Sequence, residues 1–438
     1  MKLCASLSSA SDVKYIKKAD MAEVRLDLID HVPDILGKQI VVTFKGPGAP
    51  DLSVLPRGFR GMIDVGEHTP PTMVGVEVIS SVHDFELTPT TWNIESRLKQ
   101  LKGDIIKGAF KVNTFSDLKD IYDASLFMEK RHILIGMGEL GMITRIRSDI
   151  LKNEFTYCYV DEPTAPGQLS LEEMSFLGKD PMVVGILGHP LTKSLSPKMH
   201  NTVMEKLKIK GIYLKFDFSD LEDIEDVITD YNIKGLNVTA PHKTAILEHL
   251  DSVDKEVEAV GAANTIVNKN GVLTGYNTDI QGIKHAMRLG GFDPKGRRAL
   301  IMGSGGVARA CAYTLVEAGC RVTVTGRTGK TTRSLCKDLG CDYVPSDTIV
   351  LAHYDMLVNC TPVGMYADED YPVNISKLSN NHTVFDLVYG AETPLIQKAK
   401  EVSARIVSGD DMLAAQGAAS LEMWTGKKDL FEMMRGAL

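Results

Sequence analysis

Ala299-Leu-Ile-Met-Gly303-Ser304-Gly305-Gly306-Val307-Ala308 decides the fold of the second half of this 438-residue chain. Four apolar residues read as a buried strand, the glycines as a tight turn, and Val307–Glu317 as the helix that the turn opens. Glycine lets backbone N–H groups approach a pyrophosphate at the positive end of a helix, and Ala308 permits close helix–strand packing. Gly303, Ser304, Gly305, Gly306, Val307 and Ala308 are therefore expected to hold a dinucleotide. After the next strand, Arg321–Thr325, a carboxylate would suit the ribose of NAD. The chain offers Gly326-Arg327-Thr328 instead, with Lys330 and Arg333 nearby. Cations there suit a 2′-phosphate, so the expected cofactor is NADP, held in part by Arg327 and Thr328.

Working outward, strands alternate with helices from Met182 to the end, which predicts two α/β lobes. The substrate lobe takes about 181–285 plus helices at 410–438, and the Rossmann lobe about 286–409. A seam at Gly178-Lys179-Asp180-Pro181 separates this part, 181–438, from residues 1–180. The first part holds eight strand-like runs: Leu3–Leu7, Ala22–Leu28, Gln39–Phe44, Gly61–Gly66, Val74–Ser80, Asp104–Gly108, Ile133–Met137 and Phe155–Val160. Helical patterns follow several of them, at Asp12–Ala19, Trp92–Leu101, Ser116–Lys130 and Ser170–Phe176. The alternation predicts an α/β class (β/α)8 barrel. Outer helices are missing where the chain reads GPGAPDLSVLPRGFR (46–60) and HTPPT (68–72). Strands on that side are expected to need cover from the second domain or a partner chain.

Composition excludes several classes. Hydrophobic residues at 44% and charged residues at 24% are ordinary for a globular chain. The net charge of −8, acidic in both parts, argues against a nucleic-acid partner. No apolar run approaches the ~20 residues of a membrane helix, and no export signal is legible, so no membrane partner and a cytoplasmic location are expected. The seven cysteines form no CxxC pair and the histidines no HxxxH spacing, which predicts reduced thiols and no metal site. Neither a monomer nor a homo-oligomer is preferred.

Downstream of the seam, Gly188-His-Pro-Leu-Thr-Lys-Ser194-Leu-Ser196-Pro197 places two hydroxyls before a helix start, and Asn237-Val-Thr239-Ala-Pro241-His-Lys243 brings a lysine past a strand end. Asn264-Thr265 and Asn277-Thr278-Asp279 add polar groups. With Asn359-Cys-Thr361-Pro362-Val-Gly364, Asp386-Leu-Val-Tyr389 and Gly409-Asp-Asp-Met412-Leu-Ala-Ala-Gln416, the series resembles shikimate dehydrogenases across 181–438. The resemblance implies that Ser194 and Ser196 hold a substrate carboxylate, and that Thr239, Asn264, Asp279 and Gln416 hold ring hydroxyls, with Tyr389 beside them. Lys243 would be the catalytic acid or base next to Asp279, and Thr361, Gly409 and Met412 would touch the cofactor. An ammonium near the carbonyl can stabilise and protonate the alkoxide formed by hydride transfer.

In the first part, Glu23-Val-Arg25-Leu-Asp27 puts charges on one face of a strand, which is expensive unless they pair or meet a ligand. His83 and Lys107 stand near the ends of the fifth and sixth strands, where barrel residues face the active site. Burial there would free the lysine amine to attack a ketone. With Gly138-Glu-Leu-Gly141-Met-Ile-Thr144-Arg145 and Thr164-Ala-Pro166-Gly167-Gln168, this set resembles type I 3-dehydroquinate dehydratases over nearly all of 1–180. The resemblance implies that Lys107 forms a Schiff base and that His83 removes a proton and returns it to the departing hydroxyl. It also implies that Arg145 clamps the carboxylate, with Glu23, Arg25, Thr164 and Gln168 around the hydroxyls. Lys45 stands where the family has Arg. Gly66 stands where it has the Glu that supports the histidine, and Glu67 sits one position off, useful only if a bulge re-aims it.

Together the halves predict a bifunctional enzyme with small-molecule substrates: 3-dehydroquinate is dehydrated to 3-dehydroshikimate, then reduced with NADPH to shikimate. One rival keeps the dehydrogenase and makes the barrel a structural or docking module. Another has the dehydrogenase prefer quinate with NAD.

Overall fold

The computed structural model describes residues 1–46, 48–365 and 370–438; Pro47, part of the helix-free loop above, lies outside them. Two compact units form, Met1–Val183 with Lys210–Ile233, and Val184–Ile209 with Lys234–Leu438.

The first unit is built on eight parallel strands: β1 (Leu3–Leu7), β2 (Met21–Arg25), β3 (Gln39–Thr43), β4 (Gly61–Asp64), β5 (Val76–Asp84), β6 (Ile105–Lys111), β7 (His132–Met137) and β8 (Thr156–Tyr159). They follow the order β7-β6-β5-β4-β3-β2-β1-β8. β7 and β8 meet at a seam. There the Asn153 amide stands in for a ladder, accepting from Leu134 N at 2.7 Å and donating to Leu134 O at 2.9 Å.

Strand alternation builds the interior in layers. Cys4, Met21, Val41, Met62, Ile79, Ile105, Ile133 and Phe155 form an apolar floor. Two residues further along each strand come Ser6, Glu23, Thr43, Asp64, Ser81, Lys107, Ile135 and Tyr157, a layer that is mostly polar and buried. Another step of two brings Arg25, Lys45, His83, Ala109 and Met137 to the mouth.

Helices Thr91–Lys99 and Phe115–Leu126 cover β5 to β7, whereas β2, β3 and β4 are followed by none longer than one short turn, Leu52–Val54. The outward faces of β3 to β5 (Val42, Ile63, Val76, Val78) are nonetheless buried. Leu52, Leu55, Phe59 and Met73 from the connecting loops pack on them, so the expected cover from elsewhere is corrected: these loops carry their own apolar residues. β5 runs four residues past the expected end, placing His83 within the strand, and Ala10–Lys18 forms 3-10 turns in place of the expected α-helix.

Lys210–Ile233 clusters with the first unit. The Phe115 ring meets Phe216 and Phe218 at 6.1 and 4.2 Å. Tyr231 donates to Leu118 O at 2.8 Å and Ser116 to Asp223 at 2.6 Å.

A mixed six-stranded sheet carries Gly211–Asp217, Met182–Gly188, Ile233–Val238, Thr265–Lys269, Val272–Tyr276 and Ser252–Val253 in that spatial order. A parallel six-stranded sheet follows, in the order Asp342–Tyr343, Arg321–Thr325, Arg298–Met302, Met356–Asn359, Thr383–Asp386, Arg405–Ser408. Its central strand Arg298–Met302 feeds the glycine turn and the helix Gly306–Glu317. Ligands bind at such a crossover point, beyond the C-terminal strand ends.

Candidate active sites

The barrel mouth encloses a cavity of about 220 Å³ lined by Glu23, Arg25, Lys45, His83, Lys107, Arg145, Thr164 and Gln168, among others. All seven residues expected in this site are thus brought together. Lys107 is 5% exposed and its Nζ donates to Asp64 at 3.0 Å and to the Tyr157 hydroxyl at 3.4 Å. Burial alone would raise the Asp64 carboxyl, but Lys107, the Ser81 hydroxyl (2.6 Å) and Gly66 N–H hold it below its ordinary value. Glu23 accepts from Ser6 at 2.5 Å and Thr43 at 2.7 Å, which answers how its charge is tolerated inside.

Arg25 pairs with Asp27 at 2.5 Å and also donates to Thr164 O. The Gln168 side-chain oxygen gathers Thr164 N, Thr164 Oγ1 and Ala165 N at 2.8 to 3.1 Å, folding the loop over the mouth. Arg145 is buried with its Nε unpartnered, and burial lowers it to about 10. Its Nη2 donates to Pro166 O at 3.4 Å, and a desolvated guanidinium with a spare N–H at a cavity wall is a ready anion clamp.

Glu67 is exposed and does not reach the cavity, so no bulge re-aims it. Gly66 occupies the layer position and turns the chain with φ +62. The only hydrogen-bond contact of the His83 imidazole among the described residues is Lys45 Nζ, 3.3 Å from Nε2. Sequence reasoning singled out neither Asp64 nor Tyr157 as site residues, although a count of two from the floor residues finds both.

The second unit holds two cavities with a common wall. One, about 180 Å³, is lined by Ser196, Thr239, Lys243, Asn264, Asp279, Tyr389, Gly409, Met412 and Gln416, with apolar neighbours. The other, about 1040 Å³, is lined by Lys243, Gly303 to Val307, Arg327, Thr328, Tyr343 and Thr361, among others. Thr239, Lys243 and Val307 belong to both. Lys243 Nζ lies 2.5 Å from Asp279, whose second oxygen accepts from Asn264 at 2.9 Å; Asn264 also reaches Gln416 at 3.5 Å.

Several expected residues sit elsewhere. Ser194 lines neither cavity, and its buried hydroxyl has no hydrogen-bond partner. Ala308 is fully buried and packs helix on sheet. Gly409 and Met412 line the smaller cavity and not the larger one.

The glycine turn fits a dinucleotide. Gly303 takes φ +113, and a Cβ there would stand 3.0 Å from Cys360 O. Gly305 faces open space that a side chain would fill, and a Cβ on Gly306 would come within 2.8 Å of the Lys243 stem. The helix that follows has no side-chain cap, leaving its first N–H groups to a ligand. Arg327 and Thr328 line the same cavity.

A buried lysine in a parallel barrel, and a second lysine where a dinucleotide cavity meets a polar one, define a two-site enzyme of carbonyl chemistry. Residues 69–177 match the family model "Type I 3-dehydroquinase", and 186–266 match "Shikimate dehydrogenase substrate binding domain". An NADP(+) shikimate dehydrogenase of Methanopyrus kandleri is 39% identical over 277 residues, 58% of this chain and 94% of that protein. The Thermus thermophilus shikimate 5-dehydrogenase solved with NADP(H) and shikimate is 35% identical with TM-score 0.54, covering 58% of this chain and 98% of its own. A quinate dehydrogenase of Corynebacterium glutamicum solved with NAD is 29% identical with TM-score 0.54, covering 59% and 98%. The chain belongs to the shikimate dehydrogenase family, and carries ahead of that part a type I 3-dehydroquinase domain. No helix among the described residues is long and apolar enough to cross a membrane.

Proposed function

We propose that this chain catalyses two consecutive reactions: dehydration of 3-dehydroquinate in the barrel, then NADPH-dependent reduction of 3-dehydroshikimate to shikimate in the second unit. The observation that carries the reading is the placement of two lysines. Lys107 is buried at the barrel cavity beside Asp64, and Lys243, beside Asp279, forms the wall between the polar and dinucleotide cavities.

In the barrel, the free amine of Lys107 attacks the substrate ketone, and the iminium draws electrons from the adjacent carbon. His83 accepts that carbon's proton, since burial, Lys107 and Lys45 keep its imidazole neutral down to about 3. Arg145 holds the carboxylate. Glu23, Arg25, Thr164 and Gln168 surround the hydroxyls.

In the second unit, NADPH supplies hydride when bound. Gly303 to Val307 and Thr361 receive its phosphates, and Arg327 with Thr328 takes the 2′-phosphate. Ser196, which lines the smaller cavity, meets the substrate carboxylate; the resemblance pairs Ser194 with it, although that hydroxyl is buried outside both cavities. Asn264, Asp279, Thr239, Gln416 and Tyr389 orient the ring, and Lys243 donates a proton to the developing alkoxide. Arg327 weighs against the quinate and NAD reading, and Lys107, gathered with Arg145, Thr164 and Gln168 around one cavity, against an inert barrel. Seven unpaired cysteines suit a reducing, cytoplasmic compartment.

The test supplies 3-dehydroquinate and NADPH alone and follows loss of reduced nicotinamide absorbance. Oxidation should vanish in Lys107→Ala and return on adding 3-dehydroshikimate. Oxidation that survives Lys107→Ala would refute the barrel's role.

A further inference from the structure

His83 is a base without an acid partner. Strand alternation from Asp64 would aim a carboxylate at it from position 66, but that residue is glycine, and Glu67 points to solvent. Its imidazole instead meets a cation, Lys45 Nζ, at 3.3 Å from Nε2. Burial, then Lys107 and Arg25, lower the Lys45 ammonium, while Asp64 and Glu23 partly offset them; Asp27 also faces it. The cavity mouth therefore holds a reluctant proton acceptor and a willing proton donor within one hydrogen bond of each other.

We propose that Lys45 is the general acid of the dehydration, giving its ammonium proton to the departing hydroxyl while His83 takes the carbon proton. The role rests on the Schiff-base reading of the barrel. The C–H bond breaks toward the iminium, its electron pair forming the enamine and its proton going to His83 Nε2. The enamine then expels the hydroxyl, which leaves as water with the Lys45 proton. The neutral Lys45 amine recovers the proton from His83 across their contact, restoring both groups with no other reactant.

Arginine in this place would keep the charge but cannot give up a proton. Lys45→Arg therefore separates a proton donor from a fixed anchor for the substrate carboxylate, and Lys45→Met removes both. The full chain is incubated with 3-dehydroquinate in deuterium oxide, and the dehydrogenase reaction on shikimate with NADP serves as the folding control. Both variants should lose ~10²-fold or more in dehydration kcat. Recovered 3-dehydroquinate should gain deuterium beside its ketone, and borohydride should still trap an adduct on Lys107. Wild-type kcat in Lys45→Arg, or exchange that falls in step with dehydration, overturns the role. A wild-type protein that forms no Lys107 adduct overturns the Schiff-base reading itself, a separate and recognisable failure.

Discussion

Asp64→Asn tests the electrostatics of the barrel most directly. The pair it disrupts is nearly dry, with side-chain exposures of 7% for Lys107 and 1% for Asp64. Removing one member of a buried pair costs roughly 3–5 kcal/mol, because the other is left desolvated and unpaired. Asparagine keeps the shape and can still accept from Ser81, so the lower figure applies. At about 2–4 °C per kcal/mol for a unit of this size, the barrel transition should fall by roughly 6–12 °C.

Differential scanning calorimetry of the full chain at neutral pH reads this. Added NADP raises the transition of the second unit and so separates the two. The folded protein holds the Asp64 carboxyl below its ordinary 3.8. The wild-type advantage is therefore full above that value and shrinks as pH falls through the lower folded one. In the double variant Lys107→Met/Asp64→Asn the losses should be less than additive, by roughly 0.5–3 kcal/mol. An Asp64→Asn transition within about 2 °C of wild type at neutral pH would refute the reasoning.

Lys243→Ala should lower the dehydrogenase kcat by ~10²-fold or more while NADPH still binds, checked by nicotinamide fluorescence alongside turnover. Arg327→Ala should raise the KM for NADP roughly tenfold and leave that for NAD nearly unchanged, since only NADP carries the phosphate it faces. His83 stays neutral down to about 3, so dehydratase kcat/KM should show no acid limb near the ordinary histidine value of 6.5; such a limb would contradict the buried setting.

Much of this was legible in the residues. Eight apolar runs mark the barrel strands, and GSGGVA after ALIM marks the dinucleotide lobe, because periodicity and glycine turns are local signals. The helix-free side was visible too, but not its cover: Leu52, Leu55, Phe59 and Met73 lie in irregular loops where no period shows which way a side chain turns. The grouping of Lys210–Ile233 with the barrel depends on Phe115 and Tyr231 meeting partners about a hundred residues away, which no local pattern encodes. Asp64 and Tyr157 were within reach by counting layers. What hid them is that a buried polar residue on a strand shows its purpose only once its neighbours are known.

The departures from the type I pattern fall in one place. Lys45 and Gly66 both precede residue 69, where the family match begins, and both belong to the strands that lack outer helices. The Lys107 end, in β6 to β8, retains Arg145, Thr164 and Gln168 around one cavity. The chemistry divides along the same line. Capturing the ketone needs the amine and an anion clamp, which the matched half supplies. Moving protons off carbon and onto oxygen depends on His83, inside the matched range, and on what faces it from the unmatched part, where Gly66 supplies no carboxylate and Lys45 Nζ stands 3.3 Å from Nε2. A carboxylate there would raise the imidazole and let it carry the proton through both steps; a lysine forces the load to be shared. By that reasoning Gly66→Glu should recover part of the dehydration kcat lost in Lys45→Arg, measured on the double variant.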